Sequence, residues 1–431
     1  MYDNYQYSIV ERLSFVRWGG TEEEKRAAAI IKEEIEKLGG TAEYMSFQIP
    51  AATFKHYSAK VVAPFEKELE VLPYGLTGNL PEGGVDLKFY YAGRGIADDY
   101  YGMDDLSDTV VLINELNYDA YKLLCKKKAA AFLVVQNKIW DTHDTADLVY
   151  RPMRPKFLEN GKVPGFMMWA ADAVEIVRSG AEVLHLELQQ DEFEATSQNV
   201  VSTIPGTDLA SEAVVITAHY DSVTVGTGSW DNATGSATIL YLYRYFLQNK
   251  PRRTLHFVWC GSEEQGLYGS KAYVEQKAEQ VEKDIKFCFN FDMCGTALGP
   301  NLVFVTGGDD LKHYAEAFCR EYGMSADIMV NVHSSDSAPF CDKGVPALGL
   351  SRGNRSAEIH TRNDTINPLS PAQLQKDGDF AAAFISRVVN SQRLPVPTGM
   401  PQNMKESIDK YFQRHLTSIA QDEEKKAKAE K

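Results

Sequence analysis

The sequence predicts an α/β protein interrupted by a β-rich insert, and three observations support this fold class. Short apolar runs such as AVVITAH, TLHFVWC and KFCFNF break into Gly, Ser or acidic residues, as strands do where they lead into site-forming loops. Segments with the apolar period of a helix accompany these runs. From about residue 51 to residue 190 the pattern changes to short β-type runs. The length of 431 residues allows two or three domains of this kind.

A helix is predicted near the start of the chain, from Thr21 to Leu38. Thr21 and Glu24 have the spacing of a capping box, and Gly39-Gly40 provides the stop. The apolar stripe of this helix consists of Ala28, Ile31, Ile35 and Leu38. We expect the helix to pack on the sheet rather than to take part in chemistry.

The insert, residues 51–190, is predicted to form short strands around one helix. The strand-like runs are DLKFYYAG, DTVVLIN and AAFLVVQN, and the helix-like stretch is Ala120 to Lys127. No cluster of metal-ligand residues occurs in this part of the sequence. Its histidines, His56, His143 and His185, are therefore interpreted as solvated or structural. We expect the insert to influence access to a site elsewhere.

Potential metal ligands follow the ends of the strand-like runs between Val214 and His360. The candidates are His219 with Asp221, then Asp231, then Glu263 with Glu264, then Asp292, and finally His360. In an open α/β sheet, sites form outside the carboxyl ends of the strands, so these side chains could converge there. Two imidazoles and several carboxylates suit zinc, and one carboxylate can bridge two metals. A single His-x-Asp would indicate only a surface pair, but the ordered succession predicts a metal centre.

These motifs resemble the di-zinc aminopeptidase family of bacterial leucyl aminopeptidase type, which is related to the glutamate carboxypeptidases. The matching segments are His219-Tyr220-Asp221, Asp231-Asn232-Ala233-Thr234-Gly235, Glu263-Glu264-Gln265-Gly266-Leu267 with Gly269-Ser270, Asp292-Met293, and His360-Thr361 with Asp364-Thr365. The resemblance implies a central mixed sheet between helices, formed by residues 1–50 and 191–395. It also implies that residues 51–190 are a protease-associated type of insert.

The resemblance also implies a role for each of these residues. His219, Asp231 and Asp292 would hold one zinc, while Asp231, Glu264 and His360 would hold a second, so that the chain binds two ions. Glu263 would be the general base that activates the attacking water, and Asp221 would stand behind His219 and fix its tautomer. Consecutive residues of an extended segment face opposite directions, which would separate Glu263 from Glu264. Ser337 departs from the family, which often has His there, and substrate-binding residues are not identified.

The activity implied is release of single N-terminal residues from peptides, and three alternatives stay open. A carboxypeptidase would use the same metals with a cationic clamp, for which Arg352 and Arg355 are candidates. A glutaminyl cyclase of similar fold would bind one zinc. A receptor-like module without catalysis is the third, and the presence of all five ligands and the base argues against it.

The composition and the start of the sequence indicate which binding partners and which cellular compartment to expect. The formal net charge of −15 disfavours nucleic acid and anionic membranes, which repel an acidic protein at long range. The start has no signal-peptide pattern, so a cytoplasmic protein is expected, although a secreted chain whose signal had been removed would look the same. The six cysteines lack CxxC spacing and are interpreted as free thiols of a reducing compartment.

The C-terminal tail, residues 396–431, is predicted to be an amphipathic helix. Its apolar face comprises Met404, Ile408, Tyr411, Phe412, Leu416 and Ile419. Because such a helix is unstable alone in water, we expect it to dock on its own subunit or on a neighbour. A homodimer through this tail is therefore one expectation, beside the peptide substrate.

Overall fold

The computed structural model describes residues 3–353 and 357–412. These residues form two compact units. The first contains the chain up to Ile49 and again from Thr196 onward, and the second is Pro50–Ala195. The sequence placed the corresponding boundaries at residues 50/51 and 190/191. The chain passes between the units inside two strands of 21 and 22 residues rather than through linkers.

The helices and strands are numbered in chain order. The helices are α1 (Tyr5–Leu13), α2 (Glu22–Lys37), α3 (Tyr118–Lys126), α4 (Pro155–Leu158), α5 (Ala170–Arg178), α6 (Thr234–Gln248), α7 (Tyr268–Gln276), α8 (Ala278–Lys283), α9 (Asp309–Tyr322), α10 (Ser337–Asp342), α11 (Pro371–Asn390) and α12 (Gln402–Tyr411). The strands are β1 (Glu43–Ala63), β2 (Lys67–Leu69), β3 (Val71–Pro73), β4 (Val85–Tyr91), β5 (Thr109–Ile113), β6 (Ala131–Gln136), β7 (Gly165–Trp169), β8 (Val183–Ile204), β9 (Ala213–His219), β10 (Thr254–Cys260), β11 (Ile285–Phe291), β12 (Asn301–Thr306), β13 (Ala326–Val330) and β14 (Ala347–Arg352).

The first unit is built on a mixed sheet with the strand order β13-β12-β14-β11-β9-β10-β8. Strands β14, β11, β9 and β10 run parallel to one another. Strand β12 is antiparallel to β14, and the end of β8, Val200–Ile204, is antiparallel to β10. The prediction of a central mixed sheet is confirmed. The parallel strands bring their carboxyl ends to a common edge, where a site can form.

Helices cover both faces of this sheet because its strands are apolar on both sides. In β9, Val214 and Ile216 belong to a core cluster with helices α1, α2, α6, α9 and α11. The alternate residues Ala213 and Val215 belong to a second cluster with α7, α8, α10 and α12. This division follows from the two-residue repeat of a strand, whose successive side chains point to opposite faces. The sheet is therefore fixed from both sides, and its edge is a rigid platform.

Within the second unit the strand order is β8-β4-β5-β6-β7-β3, and β4 to β7 are parallel. The predicted strands DLKFYYAG, DTVVLIN and AAFLVVQN correspond to β4, β5 and β6, and the predicted helix Ala120–Lys127 corresponds to α3. The run VPGFMMWAADAVEIV forms β7 and then α5. The protease-associated type of this unit stays a prediction.

Two further predicted helices are present. Helix α2 begins after Thr21, whose side chain accepts the backbone N–H of Glu24 at 3.3 Å. In the tail, Met404 and Ile408 of α12 are buried within the first unit. The predicted tail residues Leu416 and Ile419 lie outside the described residues. Within the described ranges, no helix is long and apolar enough to cross a membrane.

Candidate metal centre

The predicted ligands meet at the carboxyl edge of the first unit's sheet. His219 is the last residue of β9, and Asp292 directly follows β11. Glu264 lies in a turn four residues after the end of β10. Asp231 precedes α6, and His360 lies in the loop after β14. Three strand ends, a helix start and a loop thus contribute one ligand each.

Asp231 stands between the two imidazoles. Its Oδ1 is 3.1 Å from His219 Nε2, and its Oδ2 is 3.2 Å from His360 Nε2. Asp292 Oδ1 is 3.5 Å from His219 Nε2, and Glu264 Oε2 is 3.0 Å from His360 Nε2. Ligand atoms of His219, Asp231 and Glu264 all lie within 4.8 Å of one another. The structure therefore brings together all five predicted ligands, with one carboxylate oxygen of Asp231 on each side.

The orientation of Asp231 is set by Asp364. The Asp364 carboxylate accepts the backbone N–H of Trp230 at 2.7 Å and that of Asp231 at 3.0 Å. These bonds hold the irregular turn Ser229–Ala233, in which Asp231 has non-helical backbone angles before α6 begins. The Asp231 carboxylate is thereby directed away from the helix and toward the two histidines.

Asp221 organises two neighbouring segments. Its Oδ1 accepts the N–H of Glu263 at 3.0 Å, and its Oδ2 accepts the N–H of Glu264 at 3.2 Å. The same Oδ1 lies 3.4 Å from His219 Nδ1, which is longer than a well-formed hydrogen bond. Asp221 does lie behind His219, but its shorter contacts are with the backbone N–H groups of Glu263 and Glu264. Sequence reasoning did not anticipate those contacts.

Glu263 and Glu264 are separated by a turn rather than by strand alternation. Ser262, just before them, has a left-handed φ of 52°, and β10 has already ended at Cys260. Glu264 faces His360, whereas Glu263 Oε2 lies 4.0 Å from His219 Nε2. The expectation that the two side chains diverge is met, but the reason is the turn.

A chain of buried polar groups positions Asp292. Ser335 Oγ donates to Asp292 Oδ2 at 2.7 Å, and Asn290 Nδ2 donates to Ser335 Oγ at 2.9 Å. Thr217 Oγ1 donates in turn to Asn290 Oδ1 at 2.7 Å. Because Oδ2 is occupied in this way, Asp292 presents Oδ1 to the site.

Burial and mutual charge shift the titration of the cluster. Burial acts to raise the pKa of Asp231, but hydrogen bonds from His219 and His360 hold it below its usual range. Burial acts to lower the pKa of His360, and its bonds to Asp231 and Glu264 outweigh burial and raise it to about 11. Burial raises the pKa of Glu264 to about 7 and that of Glu263 well above its ordinary value. Burial thus opposes ionisation of the two glutamates, while the two imidazoles keep Asp231 ionised.

The donor set fits a pair of divalent cations. Asp292 Oδ1 and Glu264 Oε1 are buried and have no hydrogen-bond partner within the described parts of the chain. A buried carboxylate oxygen without a partner is costly, and a cation would provide one. Imidazole nitrogen and carboxylate oxygen are ligands that zinc accepts, and a two-sided carboxylate such as Asp231 can bridge two ions.

Arg17 supports the loop between His219 and Asp231, a role that sequence reasoning missed. Its guanidinium is fully buried and donates to the carbonyl oxygens of Tyr220 at 2.7 Å, Thr227 at 2.7 Å and Gly228 at 2.8 Å. These three residues lie on the segment that joins the first ligand to the bridging one. Arg17 therefore fixes the path of that loop.

Glu24 supports the loop that leads to the two glutamates. Its Oε1 accepts hydrogen bonds from Ser262 Oγ at 3.0 Å and Ser197 Oγ at 2.8 Å, and its Oε2 accepts Gly20 N–H at 2.7 Å. Burial raises the pKa of Glu24 to about 8. A sequence signal was available, because Glu24 lies four residues before Ala28 on the apolar stripe of α2. A carboxylate on a buried helix face usually has a specific partner.

The other histidines of the described ranges lie outside the cluster. His256 on β10 forms hydrogen bonds with Thr203 Oγ1 at 2.9 Å and Gln280 Nε2 at 3.1 Å, so both of its ring nitrogens have partners. His56, His143 and His185 pair with acidic residues of the second unit. His333 stacks on Phe304 with ring centroids 3.9 Å apart.

The chain was compared with known families, proteins and structures. Residues 199–385 match the model of peptidase family M28. The aminopeptidase YwaD of Bacillus subtilis strain 168 is 26% identical over 411 residues, which cover 91% of this chain and 86% of that protein. The fold is similar to an aminopeptidase from Aneurinibacillus sp. strain AM-1, with a TM-score of 0.76 and 23% identity over 93% of this chain and 97% of the other. It is also similar to a zinc aminopeptidase from Bacillus subtilis, with a TM-score of 0.73 and 22% identity over 92% and 97% of the two chains.

Proposed function

The chain belongs to peptidase family M28 through residues 199–385, and on this premise we propose that it is a zinc-dependent aminopeptidase. The observation that carries the proposal is the position of Asp231, whose two oxygens face His219 on one side and His360 on the other. This two-sided arrangement suits two ions and lies beside a further carboxylate, Glu263. The substrate is a peptide with a free N-terminus.

Two ions are proposed for each chain. His219, Asp231 and Asp292 would hold the first, and Asp231, Glu264 and His360 would hold the second. When bound, zinc supplies Lewis-acid activation of the scissile carbonyl and of the attacking water. Asp221, Asp364 and Ser335 keep the ligands oriented through the hydrogen bonds described above, which reduces the reorganisation needed during the reaction.

Glu263 is the proposed general base. Its carboxylate is near His219, but its closest approach of 4.0 Å leaves it outside the two ligand sets. Asp221 holds its backbone in place. From this position Glu263 takes a proton from the attacking water and returns it to the leaving amine, the two transfers that peptide hydrolysis requires.

The carboxypeptidase alternative needs a cation to bind the substrate's carboxylate. Arg352 donates to Thr296 O and to Asn301 Oδ1, each at 2.6 Å, so that side chain already has structural partners. The other candidate, Arg355, lies outside the described residues. A free α-amine substrate is therefore the better expectation.

A panel of aminoacyl p-nitroanilides and N-acetylated peptides tests the proposal, assayed after chelation and again after zinc is restored. We expect zinc-dependent release of p-nitroaniline from free-amine substrates only, and a metal content near two per chain. Glu263→Gln is the matched control for contaminating peptidases. Cleavage of the acetylated peptides instead would indicate a carboxypeptidase, and a content near one zinc would favour a cyclase. Metal binding without turnover of any substrate would leave the receptor-like alternative.

A homodimer formed through the C-terminal tail is also proposed, on the basis of the apolar stripe in the sequence. Sedimentation of the full chain and of a chain ending at residue 412 would test it. A mass that halves on truncation supports the dimer, and a monomeric full chain contradicts it.

A further inference from the structure

A row of histidine and carboxylate side chains crosses three neighbouring strands of the second unit. His185 and Glu187 lie two residues apart on β8, so they share one face of the sheet. His56 comes from β1, which pairs with β8, and Asp86 on β4 is the direct cross-strand partner of His185. The four side chains are between 20% and 65% exposed. Ions in solvent can therefore reach the row.

Glu187 contacts both imidazoles. His56 Nε2 lies 2.9 Å from Glu187 Oε2, and His185 Nε2 lies 3.6 Å from Glu187 Oε1. The second contact is too long for a hydrogen bond. Two donor atoms held by one tetrahedral zinc, with bonds of about 2.0 to 2.2 Å, lie roughly 3.3 to 3.6 Å apart. The spacing of His185 and Glu187 is therefore that of two ligands of one ion.

Asp86 prepares His185 to bind a cation. A carboxylate can only accept, so His185 Nδ1–H donates to Asp86 Oδ1, at 2.7 Å. In the neutral imidazole, Nε2 then carries the lone pair, and it faces a carboxylate rather than a donor. A carboxylate on the second ring nitrogen is the usual support of a metal-binding histidine. Gly84 leaves the space beside Nε2 open, because a Cβ at this position would lie only 2.4 Å from that atom.

We propose that His56, His185 and Glu187 bind a divalent transition metal ion of the zinc type, with Asp86 orienting His185. Two imidazoles and one carboxylate are ligands that zinc accepts, and a water molecule can complete the tetrahedron. The ion takes the place of the proton on His56 Nε2, and this imidazole keeps a proton on Nδ1. The site goes beyond the solvated or structural role that the sequence predicted for His56 and His185. It lies within the second unit and does not depend on the peptidase activity proposed for the first.

The site closes only when the ion binds. The ligand atoms of the three side chains do not yet all lie within 4.8 Å of one another, unlike those of His219, Asp231 and Glu264. The exposed His56 side chain must turn toward the ion, and this ordering costs conformational entropy. Zinc should therefore bind here more weakly than at the metal centre, and the two sites should fill in sequence.

Histidine NMR of the full chain tests this directly. The protein has nine histidines, so ¹⁵N-histidine labelling gives few imidazole signals, and His56→Asn and His185→Asn identify the two of interest. The probe is zinc, added until the signals of His219 and His360 stop changing and then in further excess. We expect the Nε2 signals of His56 and His185 to move together and to saturate at one additional ion per chain. His143, an exposed histidine of the same unit, is the internal control and should not move.

Zinc binding to variants, measured by competition with a colorimetric chelator, separates the ligands from the orienting residue. His185→Asn and Glu187→Gln should each bind one zinc ion fewer per chain than the parent. Asp86→Asn should keep this ion but bind it roughly 10- to 100-fold more weakly, the usual cost of losing an orienting carboxylate. His143→Asn should match the parent.

Two adjacent glycines provide a matched steric test. Gly83 and Gly84 both have a φ of +80°, so alanine is strained at either position. A Cβ on Gly83 would meet nothing within 4 Å, whereas a Cβ on Gly84 would enter the space beside His185 Nε2. We expect Gly84→Ala to lose the additional zinc and Gly83→Ala to retain it.

Two outcomes would overturn the proposal. The signals of His56 and His185 could stay in place in excess zinc, or His185→Asn and Glu187→Gln could bind as many ions as the parent, which would indicate adventitious binding only. A failure of the proposed function has a different signature. If the metal centre bound no zinc, His219 and His360 would not respond, while His56 and His185 would still report the second site.

Discussion

At the residue scale, two adjacent glutamates share a support but differ in their surroundings. Asp221 holds the backbone of both, while only Glu264 contacts His360. We predict that Glu263→Gln folds normally and keeps its zinc, while kcat falls by roughly 10²–10⁴ because the proton acceptor is lost. Glu264→Gln should instead lose zinc, and excess zinc should restore part of its activity. Metal analysis and kcat of both variants, measured side by side, check this.

Each variant is the control for the other, because the same Glu→Gln change in charge and size is made at two adjacent residues. If Glu263→Gln retained most of its turnover, or if it lost zinc while Glu264→Gln did not, the roles of the two residues would be reversed.

At the scale of elements, the segment between α1 and the first turn of α2 holds the loops on which the ligands lie. Arg17 donates to the loop before Asp231, and Glu24 accepts from Ser262 before the glutamates. We predict that Arg17→Met lowers both the melting temperature and the affinity for zinc, because buried carbonyl oxygens lose their donor. Arg17→Lys should recover part of the affinity. Chelator competition, carried out well below the melting temperature, measures the effect.

Arg253 offers the matched control. It is also buried, and it donates to Ser391 O at 2.6 Å and Glu212 Oε2 at 2.7 Å, away from the ligands. Arg253→Met should lower the melting temperature while zinc affinity stays normal. Equal losses of zinc affinity in Arg17→Met and Arg253→Met would mean that Arg17 contributes only to general stability.

Helix α12 is the second element with a testable role. Met404 and Ile408 are 4% and 3% exposed in the core shared with α10. We predict that Met404→Ala and Ile408→Ala each destabilise the first unit by roughly 2 to 5 kcal/mol, and that the double variant loses more than either, because buried apolar volume is removed. Glu406→Ala with Lys410→Ala, on the exposed face, is the control. Denaturant unfolding measures both, and equal midpoints would contradict docking of this helix.

At the scale of the whole molecule, His256 should make stability depend on pH. Burial lowers the pKa of His256 from 6.5 to about 4. Above pH 6.5 the imidazole is neutral in both states, so its full contribution to stability is present. Between pH 6.5 and 4 the unfolded chain binds a proton that the folded chain does not, and stability falls with falling pH. The loss is on the order of 3 kcal/mol for a shift of this size.

His256→Gln keeps hydrogen-bonding groups for Thr203 and Gln280 but cannot titrate. We expect the unfolding free energy of the parent to fall more steeply than that of this variant between pH 7 and pH 4.5. The metal centre titrates in both proteins, so its effect cancels in the difference. Parallel pH profiles would show that His256 does not titrate between the two states.

The sequence by itself determined the fold class, the family and the set of chemical groups at the site. Helix α2, strands β9, β10 and β11, and strands β4, β5 and β6 of the insert could be predicted because apolar period and capping are local properties. The matched region and the similarity to aminopeptidases confirm the predicted peptidase family. The region from Asn301 to Val330, which forms β12, α9 and β13, was not assigned because its short apolar runs are ambiguous.

Only the tertiary structure decided how the chemical groups meet. Arg17 reaches Gly228 across 211 residues of sequence, and Ser262 reaches Glu24 across 238. The turn that separates Glu263 from Glu264 is likewise invisible in residue types. The physical reason is that hydrogen bonding and desolvation at these positions depend on which distant segments pack together. Periodicity along the chain reports which face of an element is buried, but it does not report against which partner.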